Sequence, residues 1–183
     1  MKKLYLAGGC FWCIGDYFLM QDGVEETTCG YSGGDEKDVT YYDVKAQKTG
    51  HRETVEIIYD ENVISLDKLI DLYFVYVDVL DDGGQGIDRG HSYSLALYYQ
   101  NEEEKQLFIK KALAVQEKIG TCAHVTIAPF KFFIVAEEEH QHFSLKNPEA
   151  FEEELKASNR LDHLAAKQKI KYLYFRLALY SEN

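Results

Sequence analysis

The chain has 183 residues, 46% apolar and 28% charged, which suits one globular domain with a real core rather than two. Asp and Glu outnumber Lys and Arg 31 to 20, giving a net charge of −11, and the basic residues are scattered. That balance argues against nucleic acid and anionic membrane surfaces as partners, since both recruit clustered cations. The apolar run after the two N-terminal lysines covers only residues 4–7, too short for a signal sequence, and no stretch approaches the ~20 apolar residues of a membrane span, so the chain reads as cytoplasmic.

In chain order, residues 3–7 read as a buried strand ended by Gly8-Gly9. Helical apolar spacing then begins at Cys10, which places that residue at or near a helix N-terminus. Residues 24–31 form a second strand candidate closed by Gly33-Gly34, and residues 34–51 read as an irregular surface loop. Arg52–Tyr59 partly alternates and predicts a strand. Ser65 looks like the N-cap of a helix carrying Leu66, Leu69, Ile70, Tyr73 and Phe74. A glycine-rich loop over 81–90 leads to a strand over 93–99.

Asn101 with Glu104 forms a capping-box-like start for a helix that stops at Gly120. Two short strands are expected to flank Pro129, and Asn147-Pro148 opens a helix with proline at its first position. A last helix is expected over 159–180. The whole predicts an α+β fold, a two-layer α/β sandwich of ferredoxin-like outline. It is read as a single domain, 1–183, with a catalytic core over 1–148 and a helical C-terminal extension over 149–183.

The chemistry gathers at Cys10. A cysteine reacts as its thiolate, and a helix N-terminus supplies unpaired N–H groups and about half a positive charge that favour it. The two preceding glycines allow a sharp turn, and Phe11 and Trp12 can form an apolar wall beside the sulfur. Cys13 completes a C-x-x-C pair one helical turn away. Glu137-Glu138-Glu139-His140-Gln141-His142 has a histidine spacing found in some metal sites, but it reads as a polar loop or helix start, and no metal is expected.

The segment Gly8-Gly9-Cys10-Phe11-Trp12 resembles the signature of the A-type peptide methionine sulfoxide reductases. The resemblance continues in order through Gly30-Tyr31-Ser32-Gly33-Gly34, Tyr41, Thr49-Gly50-His51-Arg52-Glu53, Gln85-Gly86-Ile87-Asp88-Arg89-Gly90, Tyr93, His140-Gln141 and Lys146-Asn147-Pro148. It implies a thiol-dependent reductase of methionine S-sulfoxide, free or in proteins, that repairs oxidised proteins without a bound cofactor. It implies Cys10 as nucleophile, Glu53 as general acid, Tyr41 and Tyr93 as donors to the sulfoxide oxygen, Asp88 in the same polar cluster, and Phe11 and Trp12 around the substrate methyl group. Cys10 would become a sulfenic acid.

Four departures stand out. Many relatives carry a resolving cysteine shortly after Lys-Asn-Pro, where this chain reads Pro148-Glu149-Ala150-Phe151-Glu152-Glu153-Glu154-Leu155-Lys156. The resolving thiol is then Cys13, the nearest candidate, or Cys29, Cys122 or an external thiol, with thioredoxin, glutaredoxin or glutathione as reductant. His91-Ser92-Tyr93-Ser94 lacks the arginine common after the tyrosine, and Gly15 and Val79 replace a common glutamate and proline. Three rival readings share some of these features: a thiol–disulfide oxidoreductase, a zinc-binding module, and a family member that binds oxidised methionine but turns over poorly.

Overall fold

The computed structural model describes residues 1–158. The helix expected over 159–180, and with it most of the 149–183 extension, lies outside the described residues. The core is a mixed sheet flanked by helices. Among the described residues the strands are β1 Lys2–Ala7, β2 Val24–Ser32, β3 Arg52–Tyr59, β4 Gly84–Gln85, β5 Asp88–Arg89, β6 Leu95–Tyr99, β7 Val125–Pro129 and β8 Ile134–Val135. The α-helices among the described residues are α1 Phe11–Leu19, α2 Tyr41–Lys45, α3 Leu66–Tyr76, α4 Glu102–Ile119, α5 Phe143–Lys146 and α6 Pro148–Ser158.

Six strands form one sheet in the order β7-β6-β1-β3-β2-β8, and β4 pairs with β5 in a separate hairpin. All neighbours in the large sheet are antiparallel except β6 and β7. One face of the sheet carries the main core, in which Leu4, Leu6, Val55, Ile57 and Leu97 pack against Ile14, Tyr17 and Phe18 of α1 and Leu69, Ile70 and Tyr73 of α3. The other face holds a smaller cluster, with Tyr5, Ala7, Ala96 and Tyr98 under Phe130 and Phe133. Burial of these apolar side chains, at roughly 25 cal/mol per Å2, is what holds the helices to the sheet.

Local chemistry accounts for most boundaries. The Ser65 hydroxyl accepts from Lys68 N at the start of α3, and Asn101 accepts from Glu104 N at the start of α4. Gly120 takes the left-handed conformation that ends α4. Pro129 closes β7, where an edge strand tolerates a missing donor.

Three expectations are corrected. The segment 34–51 contains α2, one helical turn set by a capping box between Thr40 and Asp43 and too short to show apolar periodicity. The segment 81–90 contains the β4–β5 hairpin, turned at Gly86, which has a φ of 62°. Tyr93 is not in a strand. It ends a 3-10 turn over His91–Tyr93, and extended backbone resumes at Leu95. Gln47 holds that turn from outside, donating to Ser92 Oγ at 2.7 Å and accepting from Ser92 N at 2.9 Å.

Candidate active site

The site is built at the C-terminal end of β1. Gly9 leaves the strand with a φ of 81°, and a side chain at Gly8 would strike Ile14 Cδ1 at 2.4 Å. Both glycines thus let the chain turn tightly into α1, with Cys10 as its N-cap residue. The Cys10 side chain makes no cap bond, and the first turn has no acidic residue. The Phe11 N–H instead donates to Glu53 Oε2 at 3.0 Å. Glu53 lies on β3 opposite Tyr31, on the helix-covered face, and only 3% of it is exposed.

The two tyrosines arrive from separate elements. Tyr41 occupies the first position of α2, fixed by its N–H donating to Glu137 Oε1 at 2.8 Å. Tyr93 is buried in its 3-10 turn and hydrogen bonds to the Tyr41 oxygen. Burial above all, then the nearby Glu53 and Cys10, pushes the Tyr41 phenol well above its ordinary pKa. Burial first, then Glu53, Tyr41, Asp88 and Cys10, does the same to Tyr93. Both phenols therefore stay protonated as donors across the physiological range. Asp88, on β5, is half-buried and acts electrostatically on both.

Aromatic rings line the other side. Trp12 stacks on Phe143 with centroids 3.8 Å apart, and Phe11 lies among Tyr31, Tyr41 and His140 at 5.6–6.3 Å. His140 packs on Tyr41 at 4.3 Å and is buried. Desolvation, against weaker pulls from Glu137 and Glu139, lowers its pKa, so the ring is neutral near pH 7. Glu137 also accepts from the Tyr31 hydroxyl at 2.8 Å, tying β2 to the start of α2.

The structure thus brings together Cys10, Glu53, Tyr41, Tyr93 and Asp88, with Phe11 and Trp12 beside them. Sequence reasoning gave His140 only a family match and did not single out Glu137 as part of the site. The sole hint was the acidic run before His140, which carries no period or cap pointing at a site.

The thiols separate into classes. The Cys10 and Cys13 sulfurs and a carboxylate oxygen of Glu154 all lie within 4.8 Å of one another. Of the described residues, these are the donors close enough to share a metal ion. Two of them are the thiols of the C-x-x-C pair, so a bound metal would occupy the sulfurs that redox chemistry needs. Cys29 is buried on β2, and burial, then Glu53, Asp16 and Cys13, pushes its thiol up, away from the reactive thiolate. Cys122 is exposed in the turn after α4. Chemically, the arrangement offers a sulfur nucleophile at a helix start, a buried carboxyl, two phenol donors and an apolar wall. That set suits attack on a polarised sulfur whose oxygen must be protonated to leave.

Comparison with known proteins agrees. The family model described as peptide methionine sulfoxide reductase matches residues 2–172. A peptide methionine sulfoxide reductase MsrA from Halalkalibacterium halodurans is 40% identical over 162 residues, covering 87% of this chain and 92% of that protein. The crystal structure of Mxr1 from Saccharomyces cerevisiae in reduced form superposes with a TM-score of 0.77 at 30% identity, over 81% of this chain and 86% of that one. Mxr1 in complex with Trx2 matches in fold, with a TM-score of 0.52 at 22% identity over 76% and 83% of the chains. With its sequence match spanning the site from Cys10 to Glu154, this chain belongs to the peptide methionine sulfoxide reductase family.

Proposed function

We propose that this protein reduces methionine S-sulfoxide, free or within proteins, to methionine, using Cys10 as the nucleophile. The observation that carries the reading is the convergence of the buried Glu53 and the Tyr41–Tyr93 pair on the start of α1. The Cys10 thiolate attacks the sulfoxide sulfur. Glu53 supplies the proton that the oxygen needs, while Tyr41 and Tyr93 polarise that oxygen and Asp88 supports them. Phe11 and Trp12 hold the methyl group. Methionine leaves, and the oxygen stays on Cys10 as a sulfenic acid.

Cys13 then attacks Cys10, releasing water and forming a disulfide. Its sulfur lies within 4.8 Å of the Cys10 sulfur, whereas the Cys29 thiol is held up by burial. An external thiol reduces the disulfide, so no resident cofactor is called for. Thioredoxin is the preferred reductant, because the relative Mxr1 has been solved in complex with Trx2. Four cysteines in 183 residues, two of them in a C-x-x-C pair, suit a reducing compartment such as the cytoplasm. Among the described residues no helix is long and apolar enough to cross a membrane.

The same reading treats residues 1–183 as one domain. Phe151 and Leu155 of α6 join the main core, which supports it. It also keeps the ferredoxin-like description, supported by the antiparallel order β6-β1-β3-β2 within the sheet.

The test uses separated S and R epimers of a labelled methionine sulfoxide with dithiothreitol, alongside Cys10→Ser. Reduction of the S epimer alone, lost in the variant, is expected. A folded protein that reduces neither epimer would overturn the reading, and insulin disulfide reduction would then test for thiol–disulfide exchange. Peptide mass mapping after oxidation should give a Cys10–Cys13 link.

A further inference from the structure

The segment after Asn147-Pro148 returns to the site as α6. Phe151 is fully buried and Leu155 nearly so, both in the main core, and α6 packs on α5. At the other end of the helix, Ser158 O lies where a side chain at Gly86 would meet it at 2.9 Å. Anchored at the core and against the β4–β5 hairpin, α6 spans the start of α1. It places Glu154, half-buried, with a carboxylate oxygen within 4.8 Å of both the Cys10 and the Cys13 sulfurs.

From this placement we infer that Glu154 is a catalytic residue of the second half-reaction, the proton carrier for attack of Cys13 on the Cys10 sulfenic acid. The inference rests on Cys13 being the resolving thiol. The step balances without an added reactant. The Cys13 S–H and Cys10 S–O bonds break, and the S–S bond and one O–H bond of water form. The sulfenic sulfur is reduced and the Cys13 sulfur oxidised. The Cys13 proton passes to the Glu154 carboxylate and from there to the departing oxygen, so Glu154 ends as it began.

Apo separations longer than a hydrogen bond are usual for such groups and tighten in the reacting complex.

The experiment is a single turnover of the full, pre-reduced chain with a methionine S-sulfoxide peptide and no added thiol. Three quantities are followed: the methionine burst, the Cys10–Cys13 disulfide, and Cys10 sulfenic acid trapped by dimedone. In Glu154→Gln the disulfide rate, taken relative to the burst rate, should fall about 100-fold, the lower range for general acid–base catalysis. Dimedone-trapped Cys10 should accumulate, and Glu154→Asp should recover part of the loss. The rise of the wild-type disulfide rate with pH across the carboxylate range should flatten in Glu154→Gln. A normal disulfide-to-burst ratio in Glu154→Gln and Glu154→Ala would overturn the proposal. So would a uniform drop with the pH profile intact, which packing alone would give. Cys13→Ser separates the two ideas. If that variant still forms an internal Cys10 disulfide, the Cys13 reading fails; if it stalls at the sulfenic acid while Glu154→Gln resolves normally, only the Glu154 role fails.

Discussion

Two helix starts in this molecule use the same physics to opposite ends. At α4 the orphan N–H groups and the dipole are satisfied internally. Asn101 accepts from Glu104 N at 2.9 Å, Glu104 Oε2 accepts from Gln100 N at 2.7 Å, and three glutamates fill the first turn. At α1 the cap position is a cysteine whose side chain makes no cap bond, and no acid lies in the first turn. The Phe11 N–H there reaches across the fold to Glu53. The α4 start draws its caps from its own segment. The α1 start leaves its positive end to a thiol and depends on tertiary packing to hold it. The contrast shows a helix terminus given either to its own cap or to chemistry.

The largest expected effect falls on α1. Cys10→Ser should lower S-epimer reduction to the rate of dithiothreitol alone, while replacing Glu102 and Glu103 by Gln should leave turnover as it is. Steady-state assays of both read the contrast directly. Next, Glu53→Gln removes the acid that pairs with the Phe11 N–H, and kcat should fall by about 10²–10⁴-fold. A burst assay should place that loss in methionine formation. Tyr41→Phe and Tyr93→Phe each remove one donor to the departing oxygen and should cost about 10²-fold, measured as kcat/KM.

At α4, Asn101→Ala should cost about 1 kcal/mol of stability in urea unfolding, with kcat unchanged. An altered kcat would show that the two starts are coupled. The mildest effect is one of pH. Burial lowers the pKa of His51 and His140, against weaker pulls from nearby acids. The unfolded chain then binds protons more readily, so their contribution is present above the ordinary histidine pKa of ~6.5 and is lost as pH falls below it. Urea midpoints should drop between pH 7.5 and 5.5, and His140→Phe should remove part of that drop. Because His140 packs on Phe11 and Tyr41, the loss reports the α1 end of the molecule.

Much of the frame was legible where the signals are local. Arg52–Tyr59, the Ser65 and Asn101 caps and the Gly120 stop all stand as read, because each depends on period or on a bond within four residues. The misreadings lie where distant side chains decide the backbone or where an element is too short to show a period. Gln47 shapes the turn that carries Tyr93 from 45 residues away. Ser94 likewise accepts from Arg52 Nε at 2.8 Å, 42 residues away. A five-residue helix such as α2 shows a cap but no period.

By itself the sequence determined that Cys10 follows a glycine turn at a helix start with Cys13 one turn on, since short-range sterics and helical spacing settle both. Its ordered motifs also implied the family. Only the tertiary structure decided that Glu53, Tyr41 and Tyr93 meet at that start, that His140 packs among its aromatic rings, and that α6 carries Glu154 to the two sulfurs. Those meetings depend on sheet register and on core burial between elements far apart in the chain, which no local pattern encodes.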